Sequence, residues 1–473
     1  MKRAIAWEPW TVEEIARAAK GRIVSGRGDR VIRGITLDSR LIPRAGLFVA
    51  LRGERADGHQ FVPAAAASGA AAVMVEEPVV APSSAAVIRV AETRQALLEL
   101  SAAYRARFRP CVIGVTGSSG KTSVKNFLHA ILKRRHRSHS TPGNFNNEIG
   151  VPLTLFGIKA STEYAVVEMG MSGFGEIATL CRLADPAIGV VTSIGPSHTE
   201  QVGGVDGVVK AKSELTEYLN ARDGVLILRR EDPYFGVLRS RANCRVVTVG
   251  ESEEAEIRIY GIEARGFEPA SFHYRGIRVP LRQFGRSAVW NAALAAAAAE
   301  TAGADPLDIV CGLAECFPEK GRLERRRLRG ATVIDDTYNA NPLSFRAAIE
   351  LLKTATANRR IVVMGDMLEL GEESDRFHRE LGDALAEAGV DILFTRGPHS
   401  LEAGAAFRRR AGKAARVHHC AENSEIVDLL DRVLLPGDTL LVKGSRGMRL
   451  DEVVEGLVER RTASGEGVVP LRR

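Results

Sequence analysis

The stretch Cys111-Val112-Ile113-Gly114-Val115-Thr116-Gly117-Ser118-Ser119-Gly120-Lys121-Thr122 decides the fold. Its first six residues read as a buried strand, a Gly/Ser turn follows, and helical spacing begins at Lys121. A strand, a glycine turn and a helix in that order place helix N–H groups and their dipole where phosphate oxygens bind. Gly117 and Gly120 permit close backbone approach, and with Thr116, Ser118 and Ser119 they form the wall of a nucleotide site. Lys121 then reaches β/γ oxygens, and the Thr122 hydroxyl suits Mg²⁺. The common GxxxxGK form needs glycine at position 115, where this chain has Val115, so a generic motor or GTPase is not expected.

Outward from the loop, strand signals at 165–168, 187–192, 225–228 and 246–249 alternate with helical segments. This predicts a central, mainly parallel sheet domain over residues 92–317. Before it, β-like runs at 31–37, 47–51, 72–75 and 87–90 and a helix near 12–19 predict a small α/β domain over 1–91. After it, strands at 332–335, 361–364, 392–395 and 439–442, each followed by a helix, predict a Rossmann-like domain over 318–473. No GxGxxG opens that domain, so no dinucleotide cofactor is expected. The fold class is therefore α/β in three domains.

The composition agrees with this division. At roughly 150 residues per domain, 473 residues make about three domains and exclude a single small binding module. A 45% hydrophobic content excludes a disordered chain. The net charge of +7 suits an anionic substrate. Basic runs at 133–137 and 408–410 fall at predicted helix ends, where cations complement the dipole, so no nucleic-acid partner is expected. The apolar stretches 64–75 and 288–299 are alanine-rich and interrupted, and read as closely packed helices rather than membrane spans. Glu8, Pro9, Glu13 and Glu14 interrupt the first residues, so no export signal is expected. The six cysteines lack CxxC spacing and read as reduced thiols of a cytoplasmic chain.

Several further residues carry chemistry by position. Glu168 and His198 fall just past the carboxyl ends of predicted parallel strands, the edge where open α/β sheets bind ligands. A carboxylate suits Mg²⁺, whereas imidazole is a less usual ligand for so hard a cation. Lys212, taken alone, reads as a solvated helix lysine, and Asn291 as either a nucleotide contact or a helix-packing amide.

After the loop come, in order, Asn144-Phe145-Asn146-Asn147-Glu148-Ile149-Gly150-Val151-Pro152, Glu168-Met169-Gly170, Ser193-Ile194-Gly195-Pro196-Ser197-His198, Ala211-Lys212, Gly321-Arg322-Leu323-Glu324 and Asp335-Asp336-Thr337-Tyr338-Asn339-Ala340-Asn341-Pro342. With these motifs the chain resembles the Mur ligase family over nearly its whole length. The resemblance implies catalytic roles for Lys121, Lys212, His198 and Arg322. It implies ATP contacts at Asn291, Arg322, Asp336 and Asn339 besides the loop, and Mg²⁺ held by Thr122, Glu168, His198 and Lys212, the last as a carbamate derived from CO₂. It places a UDP-linked muropeptide against Ser39, Arg40, Asn144, Asn146 and Asn147, supported by Asp57-Gly58-His59-Gln60-Phe61 in the first domain.

In the third domain no DNPR-type motif is present. The stretches 336–344, 365–371 and 442–446 resemble instead the branch of the family that adds D-alanyl-D-alanine to a UDP-N-acetylmuramoyl-tripeptide. This puts Tyr338, Asn341, Ser344, Asp366 and Lys443 on the amine-substrate side. The implied reaction is ATP-dependent peptide-bond formation through an acyl phosphate, with ATP and Mg²⁺ required, small-molecule partners only, and a monomer. The third peptide residue, meso-diaminopimelate or lysine, stays open. One departure stands out: where the family commonly has GRHNxxNA, this chain has Gly285-Arg286-Ser287-Ala288-Val289-Trp290-Asn291-Ala292. A folylpolyglutamate-type ligase and a nucleic-acid-dependent NTPase are the rival readings.

Overall fold

The computed structural model describes residues 4–53, 56–79, 85–463 and 469–470. Three mixed sheets follow one another along the chain. The first has six strands in the order Ile5–Thr11, Val31–Thr36, Gly46–Val49, Ala72–Val75, Ala86–Arg89, Arg22–Ser25, with parallel pairing inside and antiparallel pairing at both edges.

The second sheet has nine strands and carries Cys111–Thr116 between Ile188–Val191 and Tyr164–Glu168, all parallel. Parallel strands covered on both faces read as near-continuous apolar runs, and these do. Ile113 and Val115 pack with Phe127 and Leu128 of helix Lys121–Leu132 and with the alanine-rich helix Gly285–Thr301. Val112 faces the opposite way, toward Val151, Ile177, Leu180 and Leu215. The alanines of Gly285–Thr301 keep that helix slim enough to be buried along most of its length. The other alanine-rich stretch, 64–75, is not one helix as expected. Helix Val62–Ala67 ends near Gly69, at φ +92°, and the chain re-enters the first sheet as Ala72–Val75.

In the third sheet Arg416–His419, Ile392–Arg396, Arg360–Gly365, Thr439–Lys443 and Ala331–Asp336 are parallel, and Glu324–Leu328 pairs antiparallel at one side. The expected parallel strands are present to within one or two residues at their ends. The antiparallel ones were not foreseen. Glu324–Leu328 has the charged sequence ERRRL, yet its backbone pairs with Ala331–Asp336 and Arg326 pairs with Asp335 at 3.3 Å. The hairpin Pro269–Tyr274 to Ile277–Phe284 turns on Arg275 and Gly276, both at positive φ, in a region for which the sequence suggested no strand.

Among the described residues no helix is long and apolar enough to cross a membrane.

Candidate active site

The loop leaves strand Cys111–Thr116 through Gly117 at φ +146° and enters helix Lys121–Leu132 through Gly120 at φ +84°. A side chain at Gly120 would collide with Asn291, which sets Asn291 directly against the loop. The neighbouring strand end clamps the turn. Ser118 N donates to Ser193 O at 2.8 Å, Ser118 Oγ donates to Gly195 O at 2.8 Å, and Ser119 N donates to Ser193 Oγ at 3.2 Å. Lys121 Nζ folds back to donate to Gly117 O at 2.7 Å. Its ammonium keeps some surface in solvent yet lies deep enough that desolvation lowers its pKa, opposed by Glu168 and reinforced by Arg322.

Two residues reach the loop from the third domain. A guanidinium nitrogen of Arg322 donates to Thr122 Oγ1 at 2.9 Å while the group stacks on the Tyr338 ring at 3.9 Å, and Asn341 Nδ2 donates to Ser118 O at 3.1 Å. Glu168 is buried beside the loop. Its Oε1 accepts from Asn146 Nδ2 at 2.8 Å, and its Oε2 has no partner. Thr116 Oγ1 and Arg322 Nε are likewise buried without a hydrogen-bond partner, Arg322 Nε lying 3.8 Å from Glu319 Oε2. Such atoms cost free energy unless something bonds them.

Lys212, on helix Val205–Asn220, is almost fully buried, and desolvation with the nearby Lys121 charge holds its pKa well below the usual lysine range. His198 lies at φ +54° with Nδ1 2.5 Å from Glu369 Oε2, though not aligned for a hydrogen bond. Among the described residues no group of three or more His, Cys, Asp or Glu forms a metal cage. Mg²⁺ needs none where one or two carboxylates act with substrate phosphates. The partnerless Glu168 Oε2 and the Thr122 hydroxyl fit such a cation.

Other expected site residues are committed to the scaffold. Asp336 is buried against Lys443 Nζ at 2.5 Å, and Lys443 also donates to Asn339 O at 3.1 Å. Burial raises the Asp336 pKa against the pull of Lys443. Asn341 and Ser344 form a capping box on helix Pro342–Thr354. Asp366 accepts Ser400 N at 2.7 Å and His399 N at 3.3 Å, capping helix Ser400–Ala411. Asn339 is exposed. In the first domain Arg40 makes a two-pronged contact with Asp38, at 2.7 and 2.6 Å, and His59 is nearly buried between Asp57 Oδ1 at 2.6 Å and Glu76 N at 2.9 Å. The motif 57–61 is thus a structural lock as well as a resemblance. Ser39 is half-buried near Arg40 in sequence, Asn144 is exposed, and Asn147 Oδ1 accepts Gly150 N at 2.9 Å.

Lys125 was missed. It is buried one turn beyond Lys121, and its Nζ donates to Thr141 O at 2.9 Å and Gly143 O at 3.0 Å, ordering the stretch that leads to Asn144 and Asn146. The signal was its spacing: position i+4 from Lys121 puts both lysines on one helix face.

The loop, the strand end that clamps it and the third-domain arginine define a nucleotide-phosphate site between two domains, and comparison with known proteins makes the class an ATP-dependent ligase. Residues 31–105 match the model for the Mur ligase family, catalytic domain, 115–299 the Mur ligase middle domain, and 321–446 the Mur ligase, glutamate ligase domain. The chain belongs to the Mur ligase family. It is 38% identical over 460 residues to the UDP-N-acetylmuramoyl-tripeptide–D-alanyl-D-alanine ligase of Bacillus subtilis, covering 95% of this chain and 98% of that one. Among solved structures it is similar to MurF from Acinetobacter baumannii, at 32% identity and a TM-score of 0.87 over 96% of this chain and 100% of that one. It is also similar to MurF ligase from Thermotoga maritima in complex with ADP, at 28% identity and a TM-score of 0.78 over 91% of this chain and 98% of that one.

Proposed function

We propose that this chain joins D-alanyl-D-alanine to UDP-N-acetylmuramoyl-tripeptide with conversion of ATP to ADP and phosphate, supplying the pentapeptide precursor of peptidoglycan. The observation that carries this reading is the full-length similarity to ligases of that name together with an intact phosphate loop. The nucleic-acid-dependent NTPase reading falls with membership of the family. The folylpolyglutamate-type reading loses ground to the same full-length similarity.

In the mechanism the terminal carboxylate of the tripeptide attacks the γ-phosphorus of ATP, the bond to the β-phosphate oxygen breaks, and ADP leaves. The amine of D-alanyl-D-alanine then adds to the acyl phosphate carbonyl, loses a proton, and expels inorganic phosphate as the peptide bond forms. Such phosphoryl transfer needs alignment and charge neutralisation rather than a covalent side chain. Lys121 swings from Gly117 O onto the β/γ oxygens. Arg322, fixed by stacking on Tyr338, brings its charge to the same phosphates once the third domain docks. Asn291 packs beneath Gly120 and holds the loop's shape. Mg²⁺, when bound, supplies further neutralisation of the phosphate charge. Glu168, Thr122 and His198 are the residues we assign to hold it.

Lys212 we assign as a carbamate. Burial beside Lys121 disfavours its ammonium, and the neutral amine is the form that adds CO₂. The product reverses the sign of the group and offers two hard oxygens. Lys212→Ala should lose most activity, and small carboxylic acids should restore part of it. An unmodified amine found by mass in active, bicarbonate-supplied enzyme would reject the assignment.

On the substrate side we assign Ser39, Arg40, Asn144, Asn146 and Asn147 to the UDP-muropeptide. We assign Tyr338, Asn341, Ser344, Asp366 and Lys443 to the wall on the amine side, the last four as groups that shape it through their helix caps and the Lys443–Asp336 pair rather than by touching substrate, and we place Asp336 and Asn339 toward the nucleotide. We place the reaction in the cytoplasm, where ATP is available and the chain's free cysteines stay reduced, and in a monomer, since one chain supplies all three walls of the cleft. The test supplies each of the two UDP-tripeptides, ending in meso-diaminopimelate or lysine, with ATP, Mg²⁺ and D-alanyl-D-alanine. Mass identification of the pentapeptide supports the reading and fixes the third residue. ATP turnover stimulated by folate substrates and not by muropeptides would overturn it.

A further inference from the structure

The third domain touches the central one through a short clasp that the mechanism above does not use. Thr199 Oγ1 donates to Leu370 O at 3.1 Å, Glu200 N donates to Glu369 O at 3.4 Å, and Gly371, at φ +63°, leaves only 3.2 Å between a would-be Cβ and Glu200 Cα. Buried Met367 and Leu370 anchor the segment in the third domain's core. At the centre of the clasp Glu369 Oε2 lies 2.5 Å from His198 Nδ1. Both residues hold left-handed backbone, His198 at φ +54° and Glu369 at φ +65°. Non-glycine residues adopt that region at a cost, and such strain persists where the surroundings impose it, often at functional sites.

We propose that Glu369 is a positioning residue for the cation site. It is carried by the third domain and orients His198 only when that domain docks. The proposal rests on the assignment of His198 as a cation ligand. A carboxylate 2.5 Å from Nδ1 favours the proton on that nitrogen by its charge even where the two are not aligned for a hydrogen bond, leaves Nε2 as the donor, and makes the ring a better base. That support matters for imidazole, a weak partner for a hard cation. Docking and cation binding then favour each other, because each raises the population of the state the other prefers. We assign Glu369 a role through His198 and none on phosphate or cation. Its side chain is about half exposed, so its replacement leaves the core intact.

The experiment measures Mn²⁺ binding to the full chain by electron paramagnetic resonance, with a non-hydrolysable ATP analogue present. The samples are the unaltered protein, Glu369→Gln, His198→Ala and the double variant, with melting temperatures recorded for each. Glu369→Gln is expected to weaken Mn²⁺ about tenfold, the usual scale for losing a ligand's supporting carboxylate. It should leave the melting temperature unchanged, and the double variant should bind no more weakly than His198→Ala alone. Weakened binding in His198→Ala with unchanged binding in Glu369→Gln would overturn the proposal while keeping His198 as a ligand. A full additional loss in the double variant would also overturn it, since Glu369 would then act other than through His198. Unchanged Mn²⁺ affinity in His198→Ala would overturn both readings.

Discussion

Around the loop at 116–122, Thr116 Oγ1, Glu168 Oε2 and Arg322 Nε are buried with no hydrogen-bond partner, Arg322 Nε having only the Glu319 carboxylate at 3.8 Å. At the carboxyl edge of the third sheet, Asp336, Asp366, Asn341 and Ser344 are just as polar, and their side chains are matched by Lys443, by helix N–H groups or by each other. An unpaired buried polar group costs about 1–3 kcal/mol, so a chain keeps several in one cleft only where a ligand completes them. The matched groups do the reverse work, holding helices and strands in register so that Arg322 and Asn341 arrive at the loop. The difference separates chemistry from scaffold inside a single cleft.

Four substitutions can break or sharpen that contrast. The largest effect is expected for Lys121→Ala. Turnover should fall by about 10³-fold while the melting temperature holds, because the side-chain hydrogen bond lost is one to the loop carbonyl. Near-normal ligase rates would return the loop to an ordinary turn. Next, Asp336→Ala leaves Lys443 buried without its partner, and denaturant unfolding should report a loss of about 3–5 kcal/mol. A raised KM for ATP at unchanged stability would instead make Asp336 a nucleotide ligand and erase the contrast. Third, Glu168→Gln should raise the Mg²⁺ concentration needed for half-maximal rate about tenfold. A superimposable Mg²⁺ titration would leave its free oxygen unexplained. The smallest effect belongs to Asn341→Ala, which removes a helix cap worth about 1 kcal/mol. Here the KM for D-alanyl-D-alanine should stay put, and a large rise would place Asn341 on the substrate.

What the sequence made legible follows the same division. The loop was readable because it is contiguous, its residues each having one chemical job within seven positions. Glu168 and His198 were readable as strand ends, and the parallel strands as apolar runs. The commitments of Asp336, Asp366 and Arg40 were not, because their partners Lys443, Ser400 N and Asp38 are set by tertiary pairing or local side-chain geometry that no motif encodes. Glu324–Leu328 was hidden for a related reason: sheet pairing overrode a charged composition. The clasp between Glu369 and His198 joins two motifs that each looked complete alone.

The central claim is that the loop transfers a phosphoryl group to the substrate's own carboxylate. It is tested most directly by preparing UDP-N-acetylmuramoyl-tripeptide with ¹⁸O at both oxygens of its terminal carboxylate and analysing the phosphate released during ligation. The account predicts one ¹⁸O atom in each phosphate formed, carried over when the amine displaces the acyl phosphate. Phosphate free of ¹⁸O, with pentapeptide still formed, would contradict it.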